Sequence, residues 1–175
     1  QTNTPRRRLH RIQMILFNGD SHACASYCVN MFKSGHEDSQ HWQKINEPHP
    51  ENWTHSYARK LGLLVQNPVH PMCRTNNTVS DIVDQYEEFL KLKPHKDDVL
   101  LLIHWPECTH RELKSIAKWR KKLKYRVLDY TTTEYIRVLE ENDHHADLYT
   151  KHYNAEAHSF YCNYLLKIFI DKKLF

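Results

Sequence analysis

The chain has 175 residues, of which 40% are hydrophobic and 26% are charged, and its formal net charge is +4 with the histidines neutral. This length suits one domain with a substantial core, and the composition excludes disordered and collagen-like proteins. The mild positive charge does not by itself require an anionic partner.

No apolar run approaches the roughly 18 residues that a membrane-spanning helix needs. Residues 1–11 are polar and basic, which does not fit a secretory signal. Five cysteines without a CxxC pair favour reduced thiols. We therefore expect a cytoplasmic protein without a membrane segment, in which residues 1–13 form a basic tail and residues 14–175 form one domain.

Short apolar runs alternate along the chain with segments of helical periodicity. The runs at residues 14–17 and 99–103 are unbroken, which is typical of strands buried on both faces of a parallel sheet. Further strands are predicted at residues 63–69 and 125–128, and helices after Ser21 and at 53–62 (ending on Gly62), 79–90, 110–122, 132–140 and 155–171. The alternation predicts an α/β fold with a mainly parallel sheet.

Ligands of such sheets bind beyond the carboxyl ends of the strands, and polar residues lie there at 18–22, 70–77 and 104–107. In the first stretch, Gly19 permits a tight turn, and Ser21 enters the next helix where backbone amides stabilise negative charge. The alternative is that Asp20 or Ser21 only caps a helix.

A second segment with chemical potential precedes the last helix, where His152, Asn154 and His158 follow one another. A histidine in a loop at a helix start is well placed to act as a general base on a serine hydroxyl. Alternatively, His152 is an exposed residue and His158 an ordinary helix residue.

The two segments together resemble the SGNH, or GDSL-like, hydrolase superfamily. Its first block ends in Gly-Asp-Ser, matched by residues 19–21, and its last block keeps the spacing of His152, Asn154 and His158. A middle Asn before a helix is matched by Asn76. The order of the motifs is most like small SGNH-type proteins encoded by bacteriophages. The resemblance implies a flavodoxin-like three-layer sandwich, an esterase or acyl hydrolase, and a location in the infected cell or the virion.

The resemblance also implies roles for individual residues. Ser21 is the expected nucleophile and His152 the expected base, with Asp147 orienting the histidine through a shifted loop; some members use a backbone carbonyl instead. Asn76 and the Ser21 amide would hold the oxyanion, and Asp20 would line the substrate site. Trp105 lies just after the strongest strand signal, and from that position we expect it to form a wall of the substrate site or, alternatively, to cap the core. The substrate would be a small or acylated molecule, and no cofactor is expected.

This sequence departs from the family pattern at two positions. No glycine lies between Leu63 and Asn76, where the family supplies a second oxyanion amide, and Tyr149 stands where an acidic residue three before His152 is usual. The alternative is therefore a catalytically degenerate protein that binds a partner or belongs to the virion.

Two other interpretations concern a metal and nucleic acid. A metal site would draw on His22, Cys24 and Cys28, helped by His144, His145 and His158, but such cysteines are more often core residues. The basic stretch 111–126, with Trp119 and the arm at 6–8, predicts a nucleic-acid surface only as a second alternative, because a solvated amphipathic helix has the same pattern.

Overall fold

Residues 12–26, 28, 48 and 50–174 are described by the structure, a computed structural model of the chain. They contain one parallel sheet with the strand order β2-β1-β3-β4. The strands are β1 (Met14–Gly19), β2 (Val69–Pro71), β3 (Val99–Trp105) and β4 (Arg126–Thr131). The predicted α/β class with a parallel sheet is confirmed.

Helices connect the strands, and most of them begin at a side chain that caps their free backbone amides. The side chains of Thr78, Thr109 and Thr131 each accept a hydrogen bond from the backbone amide of the third residue of a helix, and the carboxylate of that residue accepts one from the backbone amide of the threonine. The helices are α1 (Pro50–Thr54), α2 (Tyr57–Val65), α3 (Val79–Leu90), α4 (His110–Arg120), α5 (Thr132–Glu140) and α6 (Ala155–Asp171). Within the described residues, no helix is long and apolar enough to cross a membrane.

Alternating side chains of the strands divide the core into two layers, one on each face of the sheet. Leu100 and Leu102 of β3 belong to the cluster formed with α2, α5 and α6. Leu101 and Ile103 belong to the opposite cluster, formed with α3 and α4. This arrangement is consistent with a flavodoxin-like three-layer sandwich, in which β1 and β3 are the central strands.

The strand predicted at residues 63–69 is wrong over most of its length. Leu63 continues α2, and the strand begins only at Val69. Gly62 does not end the helix but lies within it, and a Cβ there would sit 2.9 Å from the backbone oxygen of Asn67. Gly62 therefore allows a close approach of α2 to the chain before β2, and the left-handed residue that ends the helix is Gln66.

The helix predicted after Ser21 is also absent over its described part. Residues 21–26 form a series of turns, in which the amide of Ser26 donates to the carbonyl of Ser21 at 3.1 Å. Tyr27, Met31 and the basic arm at residues 6–8 lie outside the described residues. Ser21 thus follows a central strand, as predicted, but sits in a tight turn.

Candidate active site

The turn that carries Ser21 is held by the backbone and side chain of the residues before it. Asp20 Oδ1 accepts a hydrogen bond from the amide of His22 at 2.9 Å. The register of the sheet places Gly19 beside His104 of β3. A Cβ on Gly19 would lie 2.8 Å from the His104 carbonyl oxygen, so the close approach of the two central strands requires glycine here.

Ser21 and His152 lie 131 residues apart in sequence and are joined by a hydrogen bond of 2.8 Å between Oγ and Nε2. On its other side, His152 Nδ1 lies 2.5 Å from the carbonyl oxygen of Thr150. A carbonyl only accepts hydrogen bonds, so Nδ1 of the neutral ring must carry the proton. Nε2 is then an acceptor, and the Ser21 hydroxyl donates to it, which is the arrangement that a serine nucleophile and its general base require.

The environment keeps the His152 ring neutral. Burial, together with a smaller effect of the neighbouring His22, lowers the pKa of His152 to about 4, while the hydrogen bond to Thr150 and the Asp20 charge oppose the shift. The His22 ring stacks on the His152 ring with their centroids 4.6 Å apart. Burial likewise lowers the pKa of His22 to about 4. At neutral pH, the His152 ring is therefore unprotonated, which is the form that can accept a proton.

Asp147 does not occupy the place predicted for it beside the histidine ring. Its Oδ1 accepts hydrogen bonds from the amides of Tyr149 and Thr150, at 2.9 and 2.8 Å. These bonds, and one from the Asp147 amide to the His152 carbonyl at 2.9 Å, close the loop that carries Thr150 and His152. The orienting group on Nδ1 is the Thr150 carbonyl, and Asp147 acts on it through the loop. No residue type in the sequence signals such a carbonyl.

Asn76, the predicted oxyanion side chain, is exposed, and its neighbour Asn77 is buried. The reason is the capping box of α3, in which Thr78 and Asp81 set the start of the helix and turn Asn77 inward. This box is readable in the sequence and would have indicated the correct register.

Three buried or half-buried amide side chains form a closed ring of hydrogen bonds next to the turn that carries Ser21. Asn18 donates to Gln85 at 2.8 Å, Gln85 donates to Asn77 at 2.9 Å, and Asn77 donates to Asn18 at 2.9 Å. Asn77 Nδ2 also donates to the Gly19 carbonyl at 3.0 Å. Both hydrogens of the Asn77 amide are thereby engaged, and the ring holds the end of β1 in place.

The backbone amide of Ser21 is the other predicted oxyanion donor. Among the described residues, no acceptor lies within hydrogen-bonding reach of this amide, so it is available to a ligand. Asp20, predicted at the substrate site, is instead partly buried beneath the turn, and burial raises its pKa.

Trp105 was predicted to form a wall of the substrate site or a cap of the core, and the structure places it in the core. It is only 1% exposed, its Nε1 donates to Asp129 at 2.9 Å, and its ring meets Trp119 edge to face. A cavity of about 650 Å³ passes over it at the carboxyl ends of β3 and β4, between α4 and α5.

His158 lies in the core rather than at the nucleophile. It is 2% exposed, its ring stacks on Tyr57, and its Nδ1 accepts a hydrogen bond from the Tyr57 amide at 3.3 Å. Burial lowers the pKa of His158 to about 3.

In the described part of the chain, no three His, Cys, Asp or Glu side chains are grouped so that they would hold a metal ion. Cys24 and Cys28 are buried thiols, and burial raises the pKa of both.

Comparisons with protein-family models, curated proteins and solved structures find no match to this chain. The geometry of Ser21 and His152 is therefore the observation that bears on function.

Proposed function

We propose that this protein is a serine hydrolase that acts on an ester or acyl group, with Ser21 as the nucleophile and His152 as the general base. The observation that carries the proposal is the 2.8 Å hydrogen bond from Ser21 to His152 Nε2, with Nδ1 held by the Thr150 carbonyl. The same proposal includes membership of the SGNH superfamily, whose motifs this sequence resembles, and an origin among its phage-encoded members.

In this mechanism, Ser21 Oγ attacks the acyl carbonyl while His152 Nε2 takes the hydroxyl proton and later gives it to the leaving group. The other ring proton stays on Nδ1 and is donated in a hydrogen bond to the Thr150 carbonyl, which keeps the ring in the productive tautomer. The Asp20 carboxylate favours the imidazolium that forms, because its charge raises the pKa of His152. The acyl-enzyme is then hydrolysed by water with the same base.

Negative charge on the carbonyl oxygen would be stabilised by the free amide of Ser21. The Asn77 side chain does not add a second donor, since both of its amide hydrogens are engaged. One oxyanion donor is worth about 10²–10³ in kcat. We therefore expect a slow esterase that prefers activated esters.

The test is turnover of a short-chain aryl ester, together with labelling by a fluorophosphonate probe. Ser21→Ala and His152→Ala should each abolish both. Ser80→Ala and His145→Ala are matched controls, because both residues are exposed and lie outside the site, and they should keep wild-type rates. Activity that survives Ser21→Ala would show that the mechanism is wrong.

The engaged amide of Asn77 favours a second candidate, a catalytically degenerate SGNH-like protein that binds a partner, for example in the virion. The same assay separates the two candidates. Wild type without turnover, and without label on Ser21, would leave the binding protein as the better account.

A further inference from the structure

A line of buried polar side chains runs through the core and ends beneath the Ser21 turn. The Tyr130 hydroxyl lies 2.7 Å from that of Tyr57, and the Tyr57 hydroxyl lies 2.7 Å from His104 Nδ1. His104 Nε2 lies 3.1 Å from Thr132 Oγ1, which lies 3.3 Å from Asp20 Oδ2. We call these five residues the buried chain.

The number of protons available decides the direction of every bond in the buried chain. Thr132 has one hydroxyl proton and three neighbours, and two of them, the Asp20 carboxylate and the Trp105 carbonyl at 3.3 Å, only accept. If His104 Nε2 carries a proton and donates it to Thr132, the single hydroxyl proton of Thr132 remains for its two acceptors. His104 is fully buried, and burial lowers its pKa well below the usual value, so Nδ1 of the neutral ring is an acceptor for Tyr57.

Tyr57 therefore donates to His104 and accepts from Tyr130. Each member from Tyr130 to Thr132 donates to the next, and the buried chain ends on Asp20. Buried hydroxyl and imidazole groups are unfavourable unless they are hydrogen-bonded, and an apolar core avoids that penalty. The reaction proposed for Ser21 and His152 does not use Tyr130, Tyr57 or His104, so their presence needs another explanation.

The contacts of Asp20, at the end of the buried chain, explain why these residues are present. Asp20 Oδ1 holds the amide of His22, the residue directly after Ser21. The His22 ring stacks on the ring of His152. The position of the Asp20 carboxylate is thus linked to both partners of the candidate catalytic pair.

We propose that His104, as its Nε2–H tautomer, and Thr132 are positioning residues that hold the Asp20 carboxylate and, through it, the Ser21 turn. The effect on catalysis rests on the serine-hydrolase function proposed above. The effect on the tautomer and on Asp20 does not.

The first measurement is the tautomer of each histidine in the wild-type protein, from the ¹⁵N side-chain signals. His104 should carry its proton on Nε2, and His152 should carry its proton on Nδ1. An Nδ1–H or imidazolium form of His104 at neutral pH would overturn the proposal.

The second measurement compares Thr132→Val with the conservative Thr132→Ser. The valine removes a hydroxyl that lowers the pKa of Asp20, so the carboxyl ¹³C titration of Asp20 should move to higher pH, and the His22 amide signal should shift. Serine should restore both. On the proposed function, Thr132→Val should lower kcat by about tenfold or more at unchanged KM, and serine should recover it.

Tyr57→Phe breaks the buried chain at its middle and should change the His104 signals. Its matched control is Tyr125→Phe, which removes a hydroxyl bonded to the Pro94 carbonyl far along the sheet and should leave them unchanged. An Asp20 titration and a His22 amide that are identical in wild type and Thr132→Val would refute the positioning role. If wild type hydrolyses no ester, the proposed function fails, and the two spectroscopic measurements still decide this inference.

Discussion

Acidification from pH 7 to pH 5 should strongly destabilise the fold, because four histidines at the candidate site and in the core beneath it are held neutral by burial. The pKa is about 4 for His22 and His152 and about 3 for His158, against an ordinary value of 6.5, and burial lowers the pKa of His104 well below that value. In the unfolded chain these groups take up protons near pH 6.5, whereas in the fold they do so only near pH 4 or below. Their contribution to stability is therefore complete above pH 6.5 and is lost as the pH falls toward 4.

The magnitude follows from the distance between pH 5 and the unfolded pKa. Each histidine that binds a proton only in the unfolded state removes about 2 kcal/mol of stability at pH 5. A discount for the partial exposure of His22 and His152 leaves about 6–8 kcal/mol for the four together. That is comparable to the whole stability of many domains, which is about 5–15 kcal/mol.

The assay is urea unfolding followed by tryptophan fluorescence at pH 7, 6 and 5. The pH stays at or above 5 because ordinary carboxyl groups titrate below it. Burial raises the pKa of Asp20, so this group acts in the opposite direction as the pH falls. His158→Asn should remove about a quarter of the pH dependence, whatever its effect at pH 7, while the exposed His145→Asn should leave it intact. A free energy of unfolding that changes by less than about 1 kcal/mol between pH 7 and pH 5 would refute the reasoning.

Three further predictions concern the site, the strand packing and the basic helix. Asp147→Asn keeps an oxygen that accepts hydrogen bonds from the two loop amides, so kcat for a short-chain ester should fall by less than about tenfold. A loss near the factor of roughly 10⁴ expected of a triad carboxylate would show that Asp147 orients His152 directly. Gly19→Ala places a Cβ against the His104 carbonyl, which should lower the free energy of unfolding by about 1–3 kcal/mol in thermal melts, and an unchanged Tm would contradict the packing. Lys114, Lys118 and Lys121 are exposed on or next to α4. We expect wild type to bind DNA and RNA only weakly at physiological salt. Tight, salt-sensitive binding that weakens when these lysines are neutralised would favour the nucleic-acid interpretation.

The elements that the sequence predicted correctly are those whose signal is local. An unbroken apolar run identifies β3, because a central parallel strand is buried on both faces. The periodicity of α3, α5 and α6 gave their bounds, because one stripe of each helix faces the sheet. The predicted strand at residues 63–69 begins with the apolar residues Leu63, Leu64 and Val65, but these belong to α2, where Leu63 is 63% exposed. Composition alone does not distinguish the two cases.

The pairing of Ser21 with His152 was also expected before the structure, because two short motifs that contain these residues resemble those of a hydrolase superfamily. Only the tertiary structure decides what surrounds them. The orienting group is a backbone carbonyl at Thr150, which every residue type possesses, so no side chain announces it. Asp20 contacts Thr132 of α5, and Thr132 contacts His104 of β3; these residues are far apart in the chain and meet because the sheet register places His104 beside Gly19. Contacts of this kind depend on how strands and helices pack against one another, and the local pattern of residues does not contain that information.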